Sequence, residues 1–201
     1  MIGRLAIGAA AAAGSALWWW RKNPSACPYG QRLFVELPHP LITRTALREA
    51  LEPTTGERVL EIGPGTGYYT LDLAEWVGPG GRVDIVDVQQ EFLDHTSESA
   101  RRRGLENVHP TRADARSLPF DDEGFDACVL ITVLGEIPDQ GVALAEVARV
   151  LRPGGRLVVG ELAVDPHYVS PAALERRAST AGLRLERRSG PAVGYFATLR
   201  S

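Results

Sequence analysis

The chain has 201 residues, of which 44% are hydrophobic, and this is enough for one well-buried domain with a short appendage. Its formal net charge of -3 provides no broad basic surface, so nucleic acid is not expected as a partner. The two cysteines, Cys27 and Cys128, are far apart and have no CxxC spacing or neighbouring histidines, so neither a metal site nor an oxidising compartment is indicated.

The chain begins with an apolar stretch, MIGRLAIGAAAAAGSALWWW, which is followed at once by Arg21 and Lys22. A helix from Ile2 to Trp20 would be about 28 Å long, close to the hydrocarbon thickness of a bilayer. The tryptophans would then lie in an aromatic belt, and the two basic residues would mark the cytoplasmic end. Residues 1–22 are therefore predicted to be a hydrophobic membrane-anchor or interfacial helix.

Other interpretations of residues 1–22 remain open. A soluble helix is one alternative, because alanine and glycine add little hydrophobicity and Arg4 interrupts the run. Export is disfavoured, since tryptophans and basic residues follow the apolar run where a signal peptide would have small residues at its cleavage site. Residues 23–38 are rich in proline and are predicted to be a linker without regular structure.

From residue 39 onward, helix and strand signals alternate, so that residues 39–201 form the predicted folded body. The predicted helices are residues 40–51, 68–77, 89–103, 139–151 and 171–182. The predicted strands are residues 58–62, 82–88, 107–111, 125–131, 156–162, 183–189 and 192–200.

This alternation predicts right-handed crossovers and a mostly parallel sheet with helices on both faces. The last two strands are separated by little more than Gly190 and Pro191, which predicts an antiparallel hairpin. The expected fold class is therefore α/β: a Rossmann-like, doubly wound, mostly parallel seven-stranded sheet with an antiparallel C-terminal hairpin, preceded by the N-terminal hydrophobic helix.

The stretch VLEIGPGTGYYT, residues 59–70, places three glycines directly after the first predicted strand. Ligands of parallel sheets bind beyond the carboxyl ends of the strands. Glycine permits a sharp turn there and lets a ligand lie against backbone amides, at the N-terminus of the next helix. A dinucleotide fingerprint would place its third glycine at the position of Tyr68, so this large ring argues against a nicotinamide cofactor.

This stretch resembles the first motif of class I S-adenosylmethionine-dependent methyltransferases, an acidic residue followed by GxGxG, matched here by Glu61, Gly63, Gly65 and Gly67. EVARVLRPGGRLVV, residues 146–159, is similar to the group that includes ubiquinone and menaquinone biosynthesis enzymes. The resemblance covers residues 55–162 closely. It implies S-adenosylmethionine as the cofactor, with Glu61 near its methionine portion.

Later positions add further cofactor-binding residues by the same resemblance. Asp87, followed by Val88, corresponds to the acidic residue that accepts hydrogen bonds from both ribose hydroxyls, a task that suits the two oxygens of a carboxylate. In RADARSLPF, residues 112–120, Asp114 would accept from the adenine amino group and the amide of Ala115 would meet the ring. As isolated residues, both aspartates could equally be strand-end carboxylates that bind turn amides.

The sequence displays no assured general base, and methyl transfer needs none where proximity and orientation suffice. The loop TVLGEIPD, residues 132–139, lacks the Asn/Asp-Pro-Pro-aromatic motif of DNA amino-methyltransferases, which argues against nucleic-acid substrates. The catalytic residue is therefore unknown. Weak candidates on the substrate side are His167 with its neighbour Tyr168, Glu136 and His39.

These features predict a methyltransferase that acts on a small, lipophilic acceptor, such as a quinone-like ring or a lipid. Association through residues 2–22 would place it at the cell membrane with its catalytic domain in the cytoplasm. A nicotinamide-dependent oxidoreductase is an alternative, although Lys22 is the only lysine and no Tyr-xxx-Lys pair is present. A non-catalytic S-adenosylmethionine-binding protein is a further alternative, since binding motifs do not prove turnover.

Overall fold

A computed structural model describes residues 24–31 and 40–201. The predicted hydrophobic helix, residues 1–22, lies outside the described residues, as do His39 and half of the predicted linker, residue 23 and residues 32–38. Among the residues that are described, no helix has both the length and the apolar character needed to cross a membrane.

The body is built on one seven-stranded sheet with the order β3-β2-β1-β4-β5-β7-β6. All neighbouring strands are parallel except that β7 runs antiparallel to both β5 and β6. The predicted α/β fold with a mostly parallel sheet is therefore confirmed. The strands are β1 (Arg58–Ile62), β2 (Arg82–Asp87), β3 (Val108–Arg112), β4 (Phe125–Ile131), β5 (Leu151–Leu162), β6 (Arg184–Ser189) and β7 (Gly194–Arg200).

In the part of the chain that the structure describes, five α-helices cover the two faces of this sheet. Hydroxyl and carboxylate side chains cap the N-termini of several of these helices. Thr43 accepts a hydrogen bond from the amide of Ala46, and Asp139 accepts one from the amide of Val142. The helices are α1 (Arg44–Leu51), α2 (Thr70–Val77), α3 (Gln90–Arg102), α4 (Gln140–Val150) and α5 (Pro171–Thr180).

Two apolar layers result from the alternation of side chains along the buried strands. Leu60 and Leu130 face α4 and α5, whereas Val59 and Val129 face α1, α2 and α3. Because both faces are covered, the central strands are buried along nearly their whole length, and only their carboxyl ends are available to a ligand.

The structure confirms the antiparallel C-terminal hairpin, corrects the predicted start of β5 and shows the order of the last three strands. β5 begins at Leu151, before the predicted start at residue 156, because Leu151 pairs with Phe125. A register shift between this pair and the Ala127–Arg156 pair leaves the extra residues in β5. In addition, β7 inserts between β5 and β6, so the edge of the sheet is β6, with all six of its residues exposed.

The described part of the predicted linker, residues 24–31, contains a 3₁₀ turn at Tyr29–Gln31 and packs on the body. The Tyr29 ring meets Phe92 edge-on at 5.1 Å, and its hydroxyl lies 3.2 Å from Nδ1 of His95. The expectation of no regular structure is therefore wrong for Tyr29–Gln31, whereas residues 24–28 have no regular structure, as expected. We call residues 24–31 the N-terminal strap.

Candidate cofactor and acceptor cleft

A cleft of about 1050 Å³ opens at the carboxyl ends of the central strands. Small-molecule sites commonly measure about 300–1,000 Å³, so this cleft has room for an acceptor beside a cofactor. Its walls come from the glycine loop after β1, the ends of β2 and β3, the loops after β4 and β5, and the N-terminal strap.

The three glycines of the loop all have left-handed backbone angles, with φ of +70° at Gly63, +55° at Gly65 and +85° at Gly67. A side chain at Gly63 would also overlap Val133, which packs directly against this glycine. Gly67 is not part of the cleft wall; a Cβ there would lie 3.0 Å from Thr96 on α3. Gly63 therefore lets the loop pack against Val133, and Gly67 lets the loop before α2 approach α3.

Glu61, at the end of β1, is buried in the cleft wall with 3% of its surface exposed. The hydroxyl of Thr70 donates to its Oε2 at 2.5 Å. Burial raises the pKa of Glu61 to about 7, although the Thr70 hydrogen bond opposes this shift. A cationic ligand group beside Glu61 would favour its ionised form.

Asp87 lies at the end of β2 in the cleft wall, next to Val88. Its Oδ1 accepts from the amide of Gln89 at 2.8 Å, which orients the carboxylate. Burial raises the pKa of Asp87, and hydrogen bonds from the amides of Gln89 and Val88 oppose the shift. The position agrees with a ribose-binding carboxylate at a strand end, and the ribose contact itself stays a prediction.

Asp114 and Ala115 also line the cleft, after β3. Both oxygens of Asp114 are within 3.1 Å of the Arg116 guanidinium, and these hydrogen bonds lower the pKa of Asp114. An adenine amino group would therefore share this carboxylate with Arg116. The adenine contacts of Asp114 and Ala115 remain predictions.

Glu136 forms the far side of the cleft, in a 3₁₀ turn after β4. Its Oε2 accepts from the amide of Cys27 in the strap at 3.1 Å. Burial raises the pKa of Glu136 to about 8, and the negative charges of Asp165 and Asp87 add to this shift. A carboxyl group with such a pKa can exchange a proton near neutral pH.

His167 also lines the cleft and is buried, with 8% of its surface exposed. Its amide donates to Oδ1 of Asp165 at 2.6 Å, and a Cβ on Gly135 would overlap its backbone. The loops after β4 and β5 therefore touch, which brings His167 and Glu136 to the same end of the cleft. Tyr168 is not part of the wall; its hydroxyl donates to the carbonyl of Ala192.

The strap is the part of the cleft that the sequence did not reveal. Its residues 25–27 join the wall, and the side chain of Gln89 holds it in place. Nε2 of Gln89 donates to the carbonyl of Cys27 at 2.9 Å, and its Oε1 accepts from the amide of Tyr29 at 3.1 Å. Such contacts across long sequence separation leave no local signal in the amino-acid sequence.

The fold and cleft are those expected of a class I methyltransferase domain, and comparison with known proteins supports this expectation. Residues 59–155 match the family model described as a methyltransferase domain. The recognition of a class I S-adenosylmethionine-dependent methyltransferase domain is thereby confirmed, with S-adenosylmethionine as the cofactor.

Among the curated relatives is the ubiquinone/menaquinone biosynthesis C-methyltransferase UbiE of Vibrio campbellii, 38% identical over 115 residues that cover 55% of this chain and 44% of the relative. An uncharacterized 37.1 kDa protein in transposon TN4556 of Streptomyces fradiae is 41% identical over 120 residues, which cover 59% of this chain and 34% of that protein. The chain thus spans less than half the length of these relatives.

Solved structures share the fold over most of the chain. A SAM-dependent methyltransferase from Aquifex aeolicus has a TM-score of 0.79 and 21% identity, covering 87% of this chain and 98% of its own. The [4+2]-cyclase SpnF has a TM-score of 0.69 and 23% identity, covering 79% of each chain. At such identities, the likeness concerns the fold alone.

Proposed function

We propose that this protein transfers a methyl group from S-adenosylmethionine to a small, lipophilic acceptor at the cytoplasmic face of a membrane. The observation that carries the proposal is the division of the cleft into two ends. Glu61, Asp87 and Asp114 lie at the ends of β1, β2 and β3, where the cofactor is expected. The remaining space, over β4 and β5, is left for the acceptor.

The acceptor end is mainly apolar. Its walls include Leu41, Val133, Ile137 and Leu162, with few charged side chains apart from the Glu136 and Asp165 carboxyl groups. This composition suits a ring or chain with little charge and disfavours an anionic acceptor. The relatives named as quinone-biosynthesis C-methyltransferases support a quinone-like acceptor by analogy.

The bound cofactor supplies an electrophilic methyl group on its sulfonium sulfur. The cleft residues hold the acceptor in line with this group, so most of the rate gain comes from proximity and exclusion of water. S-adenosylmethionine, held by Glu61, Asp87 and Asp114, would supply the methyl group and would keep the electron pair of the broken carbon–sulfur bond on its sulfur. Glu136, when ionised, is placed to take the proton that the acceptor loses.

Location at a membrane is supported by the sequence of residues 1–22, with their tryptophans and the basic pair Arg21 and Lys22. A lipophilic acceptor would be concentrated in the bilayer, so a membrane location shortens its path to the cleft. Fractionation of the full chain against a variant that starts at Asn23 tests the location. Equal solubility of the two would refute it.

Calorimetric titration of the full chain with S-adenosylmethionine and, separately, with NAD tests the cofactor assignment. Saturable binding of the former alone is expected. Asp87→Ala should weaken this binding by about 1 to 3 kcal/mol, the range for a lost hydrogen bond to a charged group. The matched control is Asp94→Ala, which removes an exposed carboxylate on α3 and should leave the affinity unchanged.

Turnover with a panel of quinol, phenol and lipid acceptors then tests the methyl transfer. If Glu136 takes the proton, the rate should rise with pH through about 8. Binding of S-adenosylmethionine without transfer to any acceptor would favour a non-catalytic binding protein. Unchanged affinity in a folded Asp87→Ala variant would remove Asp87 from the site.

A further inference from the structure

Three exposed aliphatic side chains lie together at the mouth of the cleft. Leu41, Val164 and Val193 are 42%, 84% and 55% exposed. The amide of Ala163, next to Val164, donates to the carbonyl of Val193 at 2.8 Å. A Cβ on Gly194, next to Val193, would lie 2.5 Å from Cβ of Leu41. We call these three side chains the mouth patch.

The mouth patch and the strap border the same cleft. Leu41 and Val164 line it from the body, and residues 25–27 line it from the strap. In the sequence, the apolar run ends at Trp20, five positions before Ser25 of the cleft wall. Hydrogen bonds to Gln89 and Glu136 hold Cys27 and Tyr29 of the strap on the body.

An arginine lies close to the mouth patch. Arg188, in the exposed edge strand β6, acts electrostatically on Tyr168, whose hydroxyl donates to the carbonyl of Ala192 beside Val193. Arg184 and Arg200, by contrast, pair with each other at the other end of β6 and β7. A basic residue beside exposed aliphatic side chains complements the negative surface of an anionic bilayer.

We infer that the mouth patch contacts an anionic phospholipid bilayer, so that the cleft opens onto the membrane surface and a lipophilic acceptor enters without crossing bulk water. This inference rests on the membrane location proposed above, but it does not depend on methyl transfer. Single exposed aliphatic residues need no explanation, whereas a group of them at a ligand entrance marks an interaction surface.

The test places a fluorophore at defined positions of the full chain bound to vesicles. In a Cys27→Ser background, a single reactive cysteine is introduced by Val164→Cys or Val193→Cys, since Cys128 is fully buried. Arg102→Cys is the matched control, exposed at the last residue of α3 on the opposite edge of the sheet. The vesicles contain phosphatidylcholine with phosphatidylglycerol and a lipid that carries a nitroxide near its headgroup.

We expect the nitroxide to quench the labels at positions 164 and 193 several-fold more strongly than the label at 102. Vesicle-bound protein with equal quenching at all three positions, or with none, would overturn the inference while leaving the membrane location intact. Failure of the full chain to bind the vesicles would refute the location as well. A concentration-dependent blue shift of the two patch labels without vesicles would show a second copy of the chain on the patch and would also overturn the inference.

Discussion

Glu61 and Thr70 illustrate how one contact sets the chemistry of a cofactor site. Thr70 is the first residue of α2, and its hydroxyl donates to the Glu61 carboxyl at 2.5 Å, so the helix start and the strand end are joined behind the cleft wall. Burial nevertheless dominates and raises the pKa of Glu61 to about 7. The charge of this side chain is therefore sensitive to a cationic ligand.

We predict that the affinity for S-adenosylmethionine rises with pH below about 7. In the free protein Glu61 is then mostly protonated, whereas the cationic methionine portion of the cofactor favours the carboxylate, so binding releases a proton. This linkage gives at most about a tenfold gain in affinity per pH unit and levels off above the pKa. Calorimetric titration between pH 5.5 and pH 8 measures it.

The matched variants are Glu61→Gln, which should bind weakly and without this pH dependence, and Glu49→Gln, which alters an exposed carboxyl on α1. Glu49→Gln should reproduce the parent curve. A pH dependence that persists in Glu61→Gln would assign the released proton to another group.

At the scale of elements, the strap is held to the body by few side chains. Gln89 bonds both the carbonyl of Cys27 and the amide of Tyr29, and it directly follows the Asp87–Val88 pair. The same loop thus orients Asp87, the predicted ribose-binding carboxylate, and holds the N-terminal strap in the cleft wall. Cofactor release is therefore expected to depend on the strap.

We predict that Gln89→Ala accelerates S-adenosylmethionine dissociation by about three- to tenfold, since it removes two hydrogen bonds of about 1 kcal/mol each, not all of which act on release. Stopped-flow displacement of the bound cofactor measures this rate. The control is Gln90→Ala, which removes an exposed side chain at the start of α3 and should leave the rate unchanged. Equal rates in both variants would mean that the strap does not retain the cofactor.

The sequence predicted most elements because their signals are local. The bounds of β1 and β4 follow from apolar runs and match the structure residue for residue. The start of β5 was predicted too late, since its first residue, Leu151, is held by Phe125 of another strand. Likewise, the strap looks like a linker by composition, because its partners Gln89 and Glu136 are 62 and 109 positions from Cys27.

For the candidate site, the glycine loop and the strand-end carboxylates were predictable because their spacing is a motif, and the structure places Glu61, Asp87 and Asp114 in one cleft. Two details of the site were not predictable from the sequence. Gly67 serves packing against Thr96 of α3, and Asp114 is paired with Arg116. Both depend on which side chains meet in three dimensions, which a motif does not specify.

At the scale of the whole molecule, two sets of buried carboxyl groups change the stability of the fold in opposite directions as the pH changes. Burial raises the pKa values of Glu61, Glu136 and Glu161, whereas contacts with arginines lower those of Glu57 and Asp84 despite their burial. A carboxyl group whose pKa is raised by folding lowers the stability of the fold as the pH rises from its ordinary pKa towards its pKa in the folded chain. A carboxyl group whose pKa is lowered by folding loses its stabilising effect as the pH falls through its pKa in the folded chain. Stability should therefore be greatest near pH 5.

Glu161 offers the cleanest test, because it is outside the cleft wall and its Oε1 has no hydrogen-bond partner among the described residues. Its pKa is raised to about 8, chiefly by burial. From pH 5 to pH 8 the unfolded chain has released this proton while the folded chain still holds it, so the free energy of unfolding falls by up to about 1.4 kcal/mol per pH unit.

Glu161→Gln has no such proton, so its free energy of unfolding should be close to that of the parent chain at pH 5 and higher at pH 8. Urea unfolding followed by circular dichroism at both pH values measures the difference. Glu175→Gln, at an exposed position on α5, should keep the parent pH dependence. If Glu161→Gln lost stability with pH as steeply as the parent chain, the effect would have to come from the other carboxyl groups whose pKa values are raised, which include Glu61 and Glu136.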